Sequence, residues 1–193
     1  MTDITKPLGR SLGWRARDLG MVYECPWFRV RHFELHKGGQ EGTYTYVEHH
    51  GSVIVVPETI DKMLLLMKAY RFTTDEWSWE VPAGTLADRM MHHTVEDVAR
   101  QELLEELGGT CRQLEPLGSF DMINGSAAHR VHIFLAAGVT IETAPQRQHF
   151  EEIGDTQSFS YDAVRALIAR NEIKDGDSTL ALLLALQART SAP

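Results

Sequence analysis

The sequence contains few cysteines and no long hydrophobic run. Cys25 and Cys111 are the only cysteines among the 193 residues, which excludes the disulfide framework of a small secreted domain and predicts reduced thiols. The longest apolar stretch, residues 180–186, is much shorter than the roughly 20 residues of a membrane-spanning helix. Residues 1–10 also lack the apolar run of a signal peptide. We therefore expect a cytoplasmic protein that does not bind a membrane.

The sequence also lacks an excess of positive charge. Its 19 Lys and Arg residues are outnumbered by 27 Asp and Glu residues, and the net charge is −8. A general nucleic-acid-binding surface must neutralise phosphates with basic side chains, so this balance argues against a nucleic-acid partner. A chain of this length can form one domain with a hydrophobic core and a small N-terminal extension.

The most informative segment that is present is an acidic, helix-like stretch at residues 95–108. At about 100° per residue, the apolar residues mark one side of the helix, which should face the core. Glu102 and Glu106 fall on that side, and Glu105 lies at its edge. Burying unpaired carboxylates is costly, and a divalent cation in a cleft would relieve their repulsion. The alternative interpretation is a solvated acidic face, which is common for helices rich in glutamate.

The first 50 residues are predicted to form an antiparallel β extension. Residues 1–13 resemble a loose terminus, and Lys37-Gly38-Gly39-Gln40 has the composition of a turn. β-forming residues around this turn predict strands at residues 22–30, 30–36 and 43–49.

The remainder of the chain has the pattern of an α/β domain. Thr94 and Asp97 have capping-box spacing at the start of the acidic helix, and Gly108 is a typical helix stop. The other predicted elements are strands at 52–57, 62–69, 77–81, 114–123, 130–137 and 157–160, a polar loop at 140–154, and helices at 161–170 and 178–189, the last capped by Asp177 or Ser178. This order fits an α/β/α sandwich around a mixed sheet.

Two motifs together resemble the Nudix box: PAG at residues 82–84 and ELLEELG at residues 102–108. AYRF at residues 69–72 and EIKD at residues 172–175 are similar to the ADP-ribose and nucleoside-diphosphate-sugar pyrophosphatase branch of the Nudix hydrolases. The resemblance implies the Nudix α/β/α sandwich, which we assign to residues 51–193, behind the N-terminal β extension.

The chain departs from the Nudix pattern at three places. The helix motif follows Gly84 three residues late, which indicates an insertion within residues 87–93. His93 stands where the family has its first Glu, and Gln101 stands where it has Arg. The neighbouring Arg100 cannot simply replace that Arg, because one residue is about 100° around a helix.

The resemblance implies a site for a divalent cation. Ala83, through its main-chain carbonyl, and the side chains of Glu102 and Glu106 map onto the metal ligands of this branch. An all-oxygen donor set suits Mg²⁺, and Mn²⁺ is an alternative.

The resemblance also implies residues that bind substrate and move a proton. Arg71 maps onto an Arg that faces the diphosphate, and guanidinium groups suit bidentate phosphate recognition. Glu80 is a second candidate for substrate contact. The catalytic base is expected in the loop at 140–154, with Glu152 slightly preferred over Glu151, and Glu105 on the helix is the candidate if neither loop residue serves.

The implied function is metal-dependent hydrolysis of the diphosphate bond of ADP-ribose or a related nucleoside diphosphate sugar. This branch typically forms homodimers through its N-terminal strands, a role we assign to residues 1–50. Two alternatives remain: a degenerate Nudix domain that binds a nucleotide without turnover, suggested by His93 and Gln101, and a sanitising hydrolase of nucleoside triphosphates.

Overall fold

The computed structural model of the chain describes residues 6–87, 90, 93–146 and 152–190. These residues form two compact units. One unit contains the residues up to Gly51 together with Phe120–Arg130, and the other contains Ser52–Ser119 and the residues from Val131 onward. The first unit thus includes Phe120–Arg130, which lie within the range predicted as the hydrolase domain.

The first unit is built around a three-stranded antiparallel sheet. Its elements are helix α1 (Pro7–Ser11) and strands β1 (Arg15–Glu24), β2 (Phe28–Lys37) and β3 (Gln40–His49). β2 pairs with both β1 and β3, and Gly38 and Gly39 adopt positive φ in the β2–β3 turn. The predicted N-terminal antiparallel β structure is confirmed.

Two predicted boundaries in this unit are wrong. The pattern predicts one strand over residues 22–30, but β1 ends at Glu24 and β2 begins at Phe28, since Pro26 between them has no N–H to donate to a ladder. The pattern predicts a loose terminus up to residue 13, but α1 forms there with Pro7 in its first turn, where a missing N–H costs little.

The second unit contains a mixed sheet. Its strands are β4 (Ser52–Thr59), β5 (Leu64–Arg71), β6 (Glu76–Glu80), β7 (Ala83–Thr85), β8 (Gly109–Thr110), β9 (Gln113–Met122), β10 (Ala127–Ile141) and β11 (Glu152–Phe159). The last residues of β9 and the first residues of β10 belong to the first unit. β10 is parallel to β4. β4 is antiparallel to β5 and β7, and β5 is antiparallel to β6 and β11.

Helices cover both faces of β4. The helices of this unit are α2 (Val95–Leu107), α3 (Tyr161–Ala169) and α4 (Gly176–Thr190). Val53 and Val55 join the core cluster that contains α2 residues, whereas Ile54 and Val56 alternate to the opposite face and are equally buried. α4 also packs on β4. A strand that is buried on both faces needs other elements packed against each face. The predicted α/β class is confirmed.

Helix α2 begins and ends as predicted. The Thr94 hydroxyl accepts a hydrogen bond from the Asp97 N–H at 3.2 Å, and the Asp97 carboxylate accepts one from the Thr94 N–H at 2.9 Å. Gly108 ends the helix with φ 68°, and a Cβ at this position would overlap the carbonyl of Thr143. Both the backbone conformation and the close approach therefore require glycine.

The late part of the chain is more regular than predicted. The polar loop expected at 140–154 is shorter, because Thr140 and Ile141 continue β10 by pairing with β8 and β11 already begins at Glu152. Asp175, rather than Asp177 or Ser178, caps α4, since its carboxylate accepts a hydrogen bond from the Ser178 N–H at 2.7 Å.

Among the helices of the described residues, none has the length and apolar character needed to cross a membrane.

A buried ionic cluster ties the last helix to the sheet. Glu58 on β4 has no exposed surface, and its carboxylate accepts hydrogen bonds from Arg189 at 3.0 and 3.1 Å, Tyr161 at 2.6 Å and Lys62 at 3.1 Å. Arg189 also contacts Glu115 at 3.1 Å. Burial alone would raise the pKa of Glu58, but the bonds from Arg189, Tyr161 and Lys62 outweigh it and the pKa is lowered.

Replacing Arg189 with alanine should lower the free energy of unfolding by about 3 kcal/mol, because a buried carboxylate then loses its main cation. Since folding lowers the pKa of Glu58, its contribution is present at neutral pH and is lost as the pH falls through the folded pKa, below about 4.5. Urea unfolding at pH 7 and at pH 3 measures both effects.

The control is Arg165→Ala, which removes an exposed ion pair with Asp162 on α3 and should have little effect. Equal urea midpoints for Arg189→Ala and the wild-type protein at pH 7 would show that the cluster does not stabilise the fold.

Candidate active site

Two glutamates of α2 meet the short strand β7. The Glu102 carboxylate lies so close to Gly84 that a Cβ added there would overlap it. The Glu106 carboxylate accepts a hydrogen bond from the Ala83 N–H at 3.3 Å. The fold therefore brings residues 83–84 together with side chains about twenty positions later, as the Nudix resemblance implies.

The prediction that both glutamates face the core is confirmed. Glu102 is 3% exposed and Glu106 is 7% exposed, whereas Leu104 on the same helix is 41% exposed. Glu105 is of intermediate exposure. Charged side chains at such depth need compensating partners, and a divalent cation is one partner that two neighbouring carboxylates can bind.

The residues at this position fit a hard divalent cation by their chemistry. The candidate donors are two carboxylates and a main-chain carbonyl, all of them oxygens, which Mg²⁺ prefers. In the part of the chain that the structure describes, no three or more His, Cys, Asp or Glu residues are grouped as a metal site. The Ala83 carbonyl is the third candidate donor beside the carboxylates of Glu102 and Glu106.

The two divergent positions of the motif have different surroundings. Gln101 Nε2 donates a hydrogen bond to Glu105 Oε1 at 2.7 Å, so a neutral amide contacts a motif glutamate at the position where the family has Arg. His93 is exposed. Arg100 instead donates to the carbonyl and the sulfur of Cys111, which confirms the prediction that it does not take the place of the family's Arg.

Replacing Gln101 with arginine should lower the metal concentration needed for half-maximal activity by several-fold. The amide already contacts Glu105, and a guanidinium would turn this into a charge-assisted bond about twice as strong. A titration of activity against Mg²⁺ measures the effect, with Arg100→Gln as the control that should leave the midpoint unchanged. An unchanged or weaker metal dependence of Gln101→Arg would mean that the amide serves as well as the charge.

The two candidate substrate contacts, Arg71 and Glu80, bind each other. Arg71 Nε lies 3.2 and 3.0 Å from the two oxygens of Glu80, and Arg71 Nη2 lies 2.6 Å from Oε2. The Arg71 side chain is 53% exposed, whereas Glu80 is 1% exposed. The hydrogen bonds to Glu80 raise the pKa of Arg71, so the guanidinium stays charged.

Two further acidic residues that sequence reasoning missed lie near this ion pair. Burial raises the pKa of Glu80, Arg71 opposes that effect, and Asp175 and Asp177 add to the increase. Burial and the neighbouring Asp175 also raise the pKa of Asp177. Glu106 is close enough to Arg71 to act on its pKa. The EIKD motif was the one signal for this region, and it did not indicate which side chains approach Glu80.

The predicted base lies at the edge of the described residues. Glu152 is exposed and begins β11, where it pairs with Tyr70 of β5. Its neighbour Ile153 packs against the core cluster that includes α2, so alternation directs Glu152 to the opposite face of the sheet. Glu151 falls outside the described residues. The structure thus brings Ala83, Glu102 and Glu106 together but does not bring Glu152 to the same face.

Comparisons with known proteins agree with this architecture. The family model "NUDIX domain" matches residues 48–181. A CMP-5'-(N-acetyl-N-hydroxy-3-aminopropyl)phosphonate hydrolase of Streptomyces rubellomurinus is 25% identical over 177 residues, which are 90% of this chain and 82% of that protein. An ADP-ribose pyrophosphatase of Bacillus subtilis is 25% identical over 144 residues, 75% of this chain and 76% of that protein.

A solved structure, described as that of an ADP compounds hydrolase, has the same fold. It matches with a TM-score of 0.76 and 19% sequence identity, over 91% of this chain and 94% of that chain. The chain therefore belongs to the NUDIX family, and it is a Nudix hydrolase similar to the ADP-ribose pyrophosphatase branch. Nudix hydrolases generally depend on divalent metal ions.

Proposed function

We propose that the protein is a metal-dependent pyrophosphohydrolase that cleaves the diphosphate bond of ADP-ribose or a related nucleoside diphosphate sugar. The observation that carries this proposal is the convergence of Glu102 and Glu106 on Ala83 and Gly84. Two buried carboxylates beside the backbone of residues 83–84 suit a cation that accompanies a diphosphate. The relatives named for ADP-ribose and for a CMP-linked phosphonate support a nucleotide joined to a second group.

In this proposal each residue has a separate task. Glu102, Glu106 and the Ala83 carbonyl would hold Mg²⁺, or Mn²⁺ in its place. The bound ion would neutralise the diphosphate and increase the acidity of the attacking water. Arg71 orients the diphosphate, and Glu151 or Glu152, or Glu105 on α2, accepts the proton from water. ADP-ribose would then yield AMP and ribose 5-phosphate.

A panel of diphosphate compounds tests the proposed substrate class. ADP-ribose, other nucleoside diphosphate sugars, CDP-linked compounds and nucleoside triphosphates should be incubated with Mg²⁺ or Mn²⁺ and their products identified by mass. We expect two phosphomonoesters from a diphosphate sugar. Inorganic pyrophosphate from a triphosphate as the preferred product would favour the sanitising alternative, and tight binding without products would favour the degenerate one.

We further propose a homodimer that forms through residues 1–50. In this part of the chain, large apolar side chains are 50–65% exposed on and next to β1, namely Met21, Val22, Tyr23 and Trp27. Such a patch is typical of a surface that another protein covers. Light scattering at micromolar concentration should give twice the 21.8 kDa of one chain. A monomer under these conditions would contradict the proposal.

We also propose that residues 51–193 form the hydrolase domain and that the protein is located in the cytoplasm. Cys25 and Cys111 are both unbridged. Fractionation of cells that express the tagged protein tests the location directly.

A further inference from the structure

The ion pair between Arg71 and Glu80 has an asymmetric geometry. Arg71 is at the end of β5 and Glu80 is at the end of β6, where it pairs with Met67. Because residues two or four apart on a strand share a face, Arg71 lies on the same face as Met67, which packs in the α2 core cluster. The pair therefore sits on the side of the sheet that carries Glu102 and Glu106.

Glu80 engages one edge of the guanidinium only. All three contacts use Nε and Nη2 of Arg71, and within the described residues no hydrogen bond to Nη1 is present. The Glu80 side chain is 2% exposed, so it has almost no surface left for a ligand, whereas the Arg71 side chain is 53% exposed. An incoming anion can reach Arg71 but not Glu80.

Neighbouring carboxylates could pull the Arg71 guanidinium away from the orientation that Glu80 gives it. Asp175 and Glu106 act electrostatically on Arg71, and either carboxylate would attract a mobile guanidinium. A guanidinium turned toward Glu106 would compete with a cation for a predicted metal ligand. Two parallel bonds to a buried carboxylate fix the plane of the guanidinium and keep it from these alternatives.

We propose that Glu80 is a positioning residue that clamps Arg71 so that its Nη1 edge meets the diphosphate of the substrate. This inference rests on the proposed function, and it replaces the expectation that Glu80 itself contacts substrate. Arg71 binds the anion. Glu80 acts only through Arg71, by holding its plane and supplying a counter-charge on the side away from the ligand.

A double-mutant cycle tests the assignment. Glu80→Gln, Arg71→Gln and the double variant should be compared for KM, kcat and the calorimetric Kd of ADP with Mg²⁺. We expect Glu80→Gln to weaken ADP binding and raise KM on the order of tenfold, with a smaller change in kcat, because orientation is lost. In the Arg71→Gln background, Glu80→Gln should add less than about twofold, since the residue it positions is gone.

Two further variants separate positioning from other roles. Arg71→Lys keeps the charge but cannot form two parallel bonds, so we expect it to bind ADP as weakly as Arg71→Gln. Glu76→Gln removes an ion pair with Lys174, 2.8 Å apart, on the same strand as Glu80 and should leave binding unchanged. Thermal melting of every variant shows whether it is folded. The double variant Arg71→Gln/Glu80→Gln has no charge at either position, so it should recover stability that either single change loses.

Independent effects of Arg71→Gln and Glu80→Gln that multiply in the double variant would overturn the proposal, because Glu80 would then touch the ligand itself. Full activity of Arg71→Lys would overturn it as well, since charge alone would suffice. The ADP titration needs no turnover, so an inactive wild-type protein that binds ADP would refute the proposed hydrolysis while the cycle still reports on Glu80. Absence of ADP binding to the wild-type protein would refute the positioning role.

Discussion

Replacing Glu102 or Glu106 with glutamine should lower kcat on the order of a hundredfold or more. Both carboxylates are almost fully buried and contact residues 83–84 of β7, where a cation would balance their charge. Glutamine keeps the size of the side chain but removes the anionic ligand. The measurement is kcat for ADP-ribose at saturating Mg²⁺, together with a thermal melt of each variant.

The melting temperature should change little or increase, because two buried like charges become one. Glu96→Gln is the matched control: it is an exposed glutamate in the first turn of the same helix, and its kcat should equal that of the wild-type protein. Near-wild-type turnover by both Glu102→Gln and Glu106→Gln would place the metal elsewhere.

Replacing the loop glutamates should identify the base. We expect one of Glu151→Gln and Glu152→Gln to lose kcat on the order of a hundredfold with little change in substrate affinity, since a base acts mainly in the transition state. Glu152 is the first residue of β11 and lies opposite Tyr70, one residue from Arg71, but on the face of the sheet away from Ile153 and the α2 core. This orientation argues against Glu152 in the observed arrangement.

The two single variants and the double variant distinguish the possible outcomes. Glu142→Gln is the control, because Glu142 is an exposed glutamate of the same connection and accepts a hydrogen bond from Thr110. Normal turnover by the double Glu151/Glu152 variant would exclude both residues, and Glu105, which contacts Gln101 on α2, would become the leading candidate.

Local patterns were enough to predict the central part of the site. The 100° rotation per residue placed Glu102 and Glu106 on the buried side of α2, and the Thr94–Asp97 spacing placed the start of that helix. These features depend on neighbours within one or two helical turns, which a sequence displays directly.

Features that depend on strand register could not be predicted in the same way. Whether Glu80 faces Arg71 or solvent is set by the pairing of Arg71 with Glu76 and of Met67 with Glu80, and a shift of one residue would reverse it. The Glu58–Arg189 contact joins residues 131 positions apart. No local periodicity reports such a pair, and the same reason explains why Asp175 and Asp177 were missed.

The most direct test of the account is product analysis with ADP-ribose in the presence and absence of divalent cations. We predict AMP and ribose 5-phosphate in equal amounts with Mg²⁺, no products after EDTA treatment, and recovery when Mg²⁺ is restored. Cleavage that continues in EDTA, or the absence of cleavage of every diphosphate compound tested with Mg²⁺ or Mn²⁺, would contradict it.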